Sequence, residues 1–279
     1  MKTVVTINEL REMKEKLKNP VGFIPTMGYL HQGHLALVKK GKSECSSIVV
    51  SIFINPTQFN PNEDLSKYPR DIKRDMSMLE DAGVDILWLP TPEIMYPQGY
   101  QTWVDVDEVS KPLEGEWRPG HFRGVTTVVA KLFNVVQPQM AYFGQKDAQQ
   151  AMIIKRMAMD LNFPLEVIIC PTIREPDGLA MSSRNSYLSQ EERKAAGIIF
   201  RSLTAAKDAW ENGEKDGTRL CGIVRNILTS EPLVEIQYTA CVDPLTLVPV
   251  QIINEKALLL IAAYIGKTRL IDNILLGVT

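Results

Sequence analysis

Short apolar runs rich in β-branched residues alternate with longer segments of helical periodicity through the first 170 residues. The pattern predicts strands at 22–25, 48–55, 85–89, 140–144 and 165–170, separated by helices at 34–42, 69–82, 125–136 and 147–161. Strands and helices alternating at this rhythm indicate βαβ units around a mostly parallel sheet with right-handed crossovers. Unbroken apolar runs such as IVVSIFI (48–54) suit strands covered on both faces.

The rhythm changes after Pro171. A polar stretch, REPDGLAMSSRNSYLS, leads into a charged helical pattern at 190–212, where Ser189 and Glu192 have the spacing of a capping box. A shorter helix at 218–228 is followed by strand-like runs at 233–242, 257–265 and 269–275, the pattern of a small antiparallel sheet. The expected architecture is therefore α/β: a Rossmann-like, doubly wound parallel sheet over 1–174 and a smaller C-terminal α+β domain over 175–279. No internal repeat or low-complexity segment interrupts it.

Composition narrows the class. The net charge of −2 argues against nucleic acid as the main partner, which needs a concentrated basic surface. The longest apolar run, 257–265, is far short of the roughly 20 residues that a bilayer span requires. The charged opening MKTVVTINELREMKEK lacks the apolar core of a signal peptide, and Cys45, Cys170, Cys221 and Cys241 show no C-x-x-C spacing. Reduced thiols and a cytoplasmic location are the expectation, without a membrane or nucleic-acid partner.

In an open parallel sheet, ligands bind beyond the carboxyl ends of the strands. The unusual polar segments fall at those ends: PTMGYLHQGH after the first predicted strand, NPTQFN after the second, GQKDAQQ after the fourth and PTIREPDG after the fifth. His31 and His34 could be a metal pair, ordinary helix-start residues or a phosphate cradle. A metal would need further ligands, and His121 is the one remaining imidazole. The phosphate reading explains more, because Gly28 and Gly33 permit close backbone approach and the following helix points free N–H groups outward.

The other segments each have a plain structural alternative. NPTQF can be an Asn-Pro turn, Asp147 can be a helix cap, and Arg184 can be a solvated loop residue. GKT at 266–268 lacks the upstream glycine of a P-loop, since Ile261 stands there, and reads better as a hairpin turn. No G-x-G-x-x-G follows the first strand, which weakens a nicotinamide-cofactor reading.

His31-Gln32-Gly33-His34 resembles the H-x-G-H signature of the nucleotidylyltransferase superfamily, shared with class I aminoacyl-tRNA synthetases. Met181-Ser182-Ser183-Arg184 resembles a variant of that superfamily's K-M-S-K-S-type loop. Together with SIFINPTQF, EDLSKYPRD, RPGHFRGV, YFGQKDAQQ and REPDGLAMSSRNSYLS, they resemble the pantothenate synthetase (pantoate–β-alanine ligase) family over essentially the whole chain.

The resemblance implies ATP-dependent condensation of pantoate with β-alanine through a pantoyl adenylate, releasing pyrophosphate and then AMP. It assigns catalysis to His34, His31 and Lys146. ATP contacts would come from Met27, Gly28, Tyr29, Leu30, His31, Gln32, Gly33 and His34, and from Gly144, Gln145, Lys146 and Asp147. Ile173, Met181, Ser182, Ser183 and Arg184 would complete them, the last three as a phosphate clamp. Gln58 and Gln150 would bind pantoate, with Pro25, Met27, Phe53 and Val129 as the apolar wall. Mg²⁺ is expected with ATP, held largely by phosphates and water, with its protein ligands unassigned. A homodimer is implied as well. His121, in a Gly- and Arg-rich stretch (114–124) that could form a flap, has no assigned role. The alternative is a sister nucleotidylyltransferase moving AMP to another small acceptor.

Overall fold

The computed structural model describes residues 1–61 and 63–277. Its elements run β1 (Lys2–Val4), α1 (Ile7–Lys14), β2 (Val21–Thr26), α2 (Gln32–Glu44), β3 (Ser47–Ile52), α3 (Ile72–Asp81), β4 (Ile86–Trp88), α4 (Pro92–Met95) and α5 (Glu114–Trp117). There follow α6 (His121–Val136), β5 (Met140–Gly144), α7 (Ala148–Asp160), β6 (Glu166–Cys170), α8 (Gln190–Ala196), α9 (Ile198–Glu211), α10 (Gly217–Leu228), β7 (Val234–Val242), β8 (Lys256–Ile265) and β9 (Thr268–Gly277). The chain forms two compact units, residues Met1–Gln145 with Gln149–Pro171, and Lys146–Ala148 with the chain from Thr172 onward. The pattern of apolar runs places the division near 174 and keeps Lys146 in the first part. In the structure the Asn273 side chain on β9 donates to the Lys146 carbonyl at 2.9 Å, within the second unit.

The first unit holds a parallel sheet of order β1-β4-β3-β2-β5-β6. Alternation along the strands supplies both of its covered faces. On one side Phe23, Val49, Ile86 and Trp88 join Leu10 of α1 and Phe133 and Val136 of α6. On the other, Ile24, Val50 and Leu87 join Leu37 and Val38 of α2 and Leu79 of α3. This two-sided burial is why the strands read as continuous apolar runs.

Strand order reverses between β2 and β5, the switch point of a doubly wound sheet. β2 pairs with β3 along its length, from Val21↔Ser47 to Thr26↔Ile52. Its register with β5 covers only Gly22↔Met140 and Phe23↔Ala141, whereas β5 follows β6 to Gly144↔Cys170. The carboxyl ends of β2 and β5 therefore part, and the segments after Thr26 and Gly144 emerge on either side of that gap.

The second unit is built on the antiparallel sheet β7-β8-β9. Alternate residues of β8, Leu259, Ile261, Ala263 and Ile265, pack with Ile199 and Leu203 of α9 and Leu220 and Val224 of α10. Gly266 takes φ +58° in the β8–β9 turn, so the GKT stretch is a hairpin connection. Arg174 grips the buried Asp272 carboxylate with two nitrogens, at 2.6 and 3.0 Å, and lies over the Phe200 ring. Burial pushes the Asp272 carboxyl up, and the Arg174 hydrogen bonds and charge oppose that shift.

Several expectations are corrected. The single helix expected over 190–212 is two, α8 and α9, meeting at Gly197, the one glycine in that stretch and a residue of low helix propensity. The Ser189–Glu192 capping box is present at the start of α8. The strand expected over 48–55 ends at Ile52, and Asn55 opens a 3-10 turn, Pro56–Gln58. β1 and α1 are additional elements, in the charged opening stretch where no element is expected. A Thr6–Glu9 capping box starts α1 and is the signal for it in the sequence. The 114–124 stretch is largely helical, formed by α5 and the first turn of α6.

Candidate active site

The loop after β2 is shaped by two positive-φ residues, Gly28 (φ +86°) and Tyr29 (φ +50°). A Cβ on Gly28 would lie 2.9 Å from Ile52 Cγ2 and 3.2 Å from Asp75 Oδ2, so glycine is required there for space as well as conformation. Asp75, buried on α3, accepts from the backbone N–H groups of Tyr29 at 2.7 Å and Leu30 at 2.8 Å. Burial raises the Asp75 pKa, and those two backbone hydrogen bonds partly offset the rise. The adjacent Arg74 donates to the Leu30 carbonyl at 3.0 Å and stacks over the Tyr29 ring. No motif or spacing in the sequence singles out Arg74 or Asp75.

Helix α2 begins at Gln32, two residues earlier than expected, which makes His31 its N-cap. His31 Nδ1 accepts from the Gly33 N–H at 3.1 Å, and His34 Nδ1 accepts from the His31 N–H at 3.3 Å. This is a capping box built from imidazoles instead of a hydroxyl and a carboxylate. Backbone amides can only donate, so each Nδ1 is unprotonated and the neutral ring carries its proton on Nε2. The rings lie side by side, with centroids 4.1 Å apart. The structure thus brings two imidazole N–H donors to the positive end of a helix, an arrangement suited to phosphate oxygens.

After β3, Gln58 is buried in the 3-10 turn. Its Oε1 accepts from Asn55 Nδ2 at 3.1 Å, and its Nε2 points at Met27 Sδ, 3.2 Å away. Asn55 also donates to the Gly124 carbonyl at 3.1 Å, and its Oδ1 accepts from Tyr96 Oη at 2.8 Å. The turn can sit this close to α6 only because residue 124 is glycine; a Cβ there would be 2.4 Å from the Thr57 carbonyl oxygen. Of the proposed apolar wall, Phe53 and Val129 belong to the core, whereas Pro25 and Met27 are half-buried at the end of β2.

His121 is buried at the start of α6. Its Nδ1 lies 2.8 Å from the Gln58 carbonyl oxygen and its Nε2 lies 3.0 Å from Arg118 Nη1. Arg118 is in turn forked onto Glu63, with both contacts at 2.7 Å. Burial, followed by the Arg118 charge, pushes the His121 pKa down to about 4. For Glu63, burial works upward, but the hydrogen bonds and charge of Arg118 outweigh it and hold the carboxyl below its ordinary value.

After β5, Gln145–Asp147 form a 3-10 turn directly before α7. Lys146 Nζ is 3.5 Å from Asp147 Oδ1. Gln150 is half-buried on the first turn of α7. The neighbouring Gln149, which the sequence does not distinguish, is buried and accepts from the Glu114 N–H while donating to the Val109 and Pro112 carbonyls.

In the second unit the Met181 N–H donates to the Ile173 carbonyl at 2.9 Å, closing a turn that also pairs Arg174 with Ala180. Ser182 then caps a 3-10 segment, Ser183–Tyr187, by accepting from the Arg184 N–H at 3.3 Å. Ile173 and the Met181–Arg184 stretch are therefore parts of one local structure.

Among the described residues, no group of three or more His, Cys, Asp and Glu side chains could hold a metal ion. Among them, too, no helix is long and apolar enough to cross a membrane.

Comparison with known proteins agrees with this architecture. The family model for pantoate-beta-alanine ligase matches residues 2–275. The chain is 52% identical to the pantothenate synthetase of Acidobacterium capsulatum over 293 aligned positions, covering 100% of this chain and 98% of that protein. The crystal structure of pantothenate synthetase from Thermus thermophilus is similar at TM-score 0.94 and 47% identity, covering 98% of this chain and 99% of that one. The pantoate-beta-alanine ligase of Francisella tularensis, whose crystal structure is a complex with beta-gamma ATP and beta-alanine, is similar at TM-score 0.81 and 36% identity, over 99% of this chain and 97% of that one. The chain belongs to the pantoate-β-alanine ligase family.

Proposed function

We propose that this chain condenses pantoate with β-alanine, using ATP and releasing AMP and pyrophosphate. The observation carrying this reading is the family match from residue 2 to residue 275. It is joined by the complex of the Francisella tularensis relative with beta-gamma ATP and beta-alanine.

In the first step a pantoate carboxylate oxygen attacks the α-phosphorus of ATP. The bond from that phosphorus to the bridging oxygen breaks, and pyrophosphate leaves with the electron pair. In the second step the β-alanine amine attacks the acyl carbon, AMP departs, and the new amide nitrogen loses a proton. Both steps need alignment and stabilisation of charge on phosphate oxygens, and neither needs a covalent bond to the enzyme.

The residue assignments rest on the family resemblance, and the local geometry supports them. His31 and His34 donate from Nε2 to phosphate oxygens as charge develops, supported by the backbone N–H groups that open α2. The 27–30 loop and Gly144–Asp147 contribute the remaining nucleotide contacts at the two strand ends flanking the switch point. Lys146, Ser182, Ser183 and Arg184 are cationic and hydroxyl donors suited to the leaving pyrophosphate. Ile173 and Met181 serve the adenosine end, and Gln58 and Gln150 supply amides to pantoate. Mg²⁺ accompanies ATP in this reading, held largely by phosphate oxygens and water. Cytoplasmic location and a homodimer complete the reading.

The direct test is product identification. Purified protein given pantoate, β-alanine and MgATP is expected to form pantothenate, AMP and pyrophosphate in equal amounts. ADP and phosphate as the products would refute the scheme. AMP transfer to a phosphorylated acceptor, with no amide formed, would favour a sister nucleotidylyltransferase.

A further inference from the structure

The Gln58 amide is oriented by an acceptor that cannot be mistaken. The Gly124 carbonyl oxygen can only accept, so the Asn55 atom 3.1 Å from it is the amide nitrogen. That nitrogen also faces Gln58 at 3.1 Å, so the Gln58 atom opposite it is Oε1. Gln58 Nε2 is thereby turned toward Met27 at the end of β2, and Gln58 presents N–H donors there.

The backbone of the same turn is held from the other side. The Gln58 carbonyl can only accept, so His121 Nδ1, 2.8 Å away, carries the ring proton. His121 Nε2 must then accept from Arg118 Nη1, and Glu63 fixes that guanidinium through its other two nitrogens. Every polar atom of the buried imidazole is committed to this chain of contacts, which ends on the Gln58 main chain.

We propose that His121 is a positioning residue for substrate selection: its Nδ1–H bond to the Gln58 carbonyl fixes the turn from which Gln58 donates to a hydroxyl of the acyl substrate. This rests on the reading of Gln58 as a pantoate contact. A site built around a fixed donor discriminates strongly against an analogue lacking the matching oxygen, because the donor is then left unpaired. Letting the turn shift removes that discrimination while ATP binding is retained.

The test compares pantoate with a deoxy analogue in the wild type, His121→Phe, His121→Asn and Gln58→Ala. Asparagine can place a donor near the Nδ1 position, whereas phenylalanine cannot. In His121→Phe the pantoate KM should rise about 10-fold and the preference for pantoate over the analogue should shrink by at least as much. The KM for ATP should change less than about 2-fold. His121→Asn should recover most of the preference. Should the phenylalanine variant not fold, His121→Gln serves, since its amide reaches the Nε2 position and not the Nδ1 position. An unchanged preference in His121→Phe or His121→Gln, or equal losses in His121→Asn, would overturn the inference. If Gln58→Ala loses its preference while the His121 variants keep theirs, only the role of His121 fails. If Gln58→Ala keeps the preference, the reading of Gln58 fails and this inference with it.

Discussion

His31 and His34 cap the same helix turn with their Nδ1 atoms, one accepting from the Gly33 N–H and the other from the His31 N–H. In the proposed mechanism, structural and chemical roles therefore fall on opposite nitrogens of each ring. Nδ1 holds the backbone and Nε2 carries the donor proton.

This division separates two consequences of altering His34. His34→Ala should lower kcat by roughly 10²–10³, the scale of one lost donor to developing charge. It should also cost about 0.5–2 kcal/mol of stability through the lost cap. His34→Asn can restore an acceptor near Nδ1 but not the Nε2 donor, so thermal unfolding should recover while kcat stays low. Recovery of kcat in step with stability would mean that His34 serves the fold alone.

Asp75 is expected to act on the same loop from behind. Each carboxylate oxygen holds one backbone N–H, from Tyr29 and from Leu30. Asp75→Asn keeps one acceptor and turns an amide N–H₂ toward the other donor. The loss should be about 1–3 kcal/mol in denaturant unfolding, together with a raised KM for ATP. Wild-type affinity for ATP in this variant would show that the 28–30 loop does not need the carboxylate.

These residues differ in how far apart in the chain their partners lie, and that decides what is legible in the sequence. The H-x-G-H stretch is legible because its bonds are local, spanning two and three residues. The strands are legible because both sheet faces are covered, which leaves long apolar runs. Asp75 meets Tyr29 across 46 residues, and His121 meets Gln58 across 63. No periodicity encodes such a partner, so an inward carboxylate on α3 reads like one of the many charges on a solvated helix face. Gln149 and Gln150 are adjacent and identical in type. Only the fold shows that Gln149 is tied to the 109–114 backbone.

The buried imidazole also predicts a pH dependence. Burial and Arg118 hold the His121 pKa at about 4, below its ordinary 6.5, so the folded protein favours the neutral ring. Its contribution to stability is fully present above about pH 6.5 and is lost as pH falls toward 4. The full effect is on the order of 3 kcal/mol. Asp75 and Asp272, whose pKa values are raised, act in the opposite direction as the solution is acidified. The clean quantity is therefore the difference in unfolding free energy between wild type and His121→Asn. It should shrink between pH 6.5 and 4, and a difference independent of pH would contradict the neutral assignment.

The two-step chemistry requires the acyl adenylate to form before the amine is needed. Exchange of labelled pyrophosphate into ATP measures that step alone. With pantoate and MgATP present and β-alanine omitted, the protein should catalyse exchange, and His34→Ala should slow it by roughly 10²–10³. Exchange that appears only when β-alanine is added would contradict the two-step scheme.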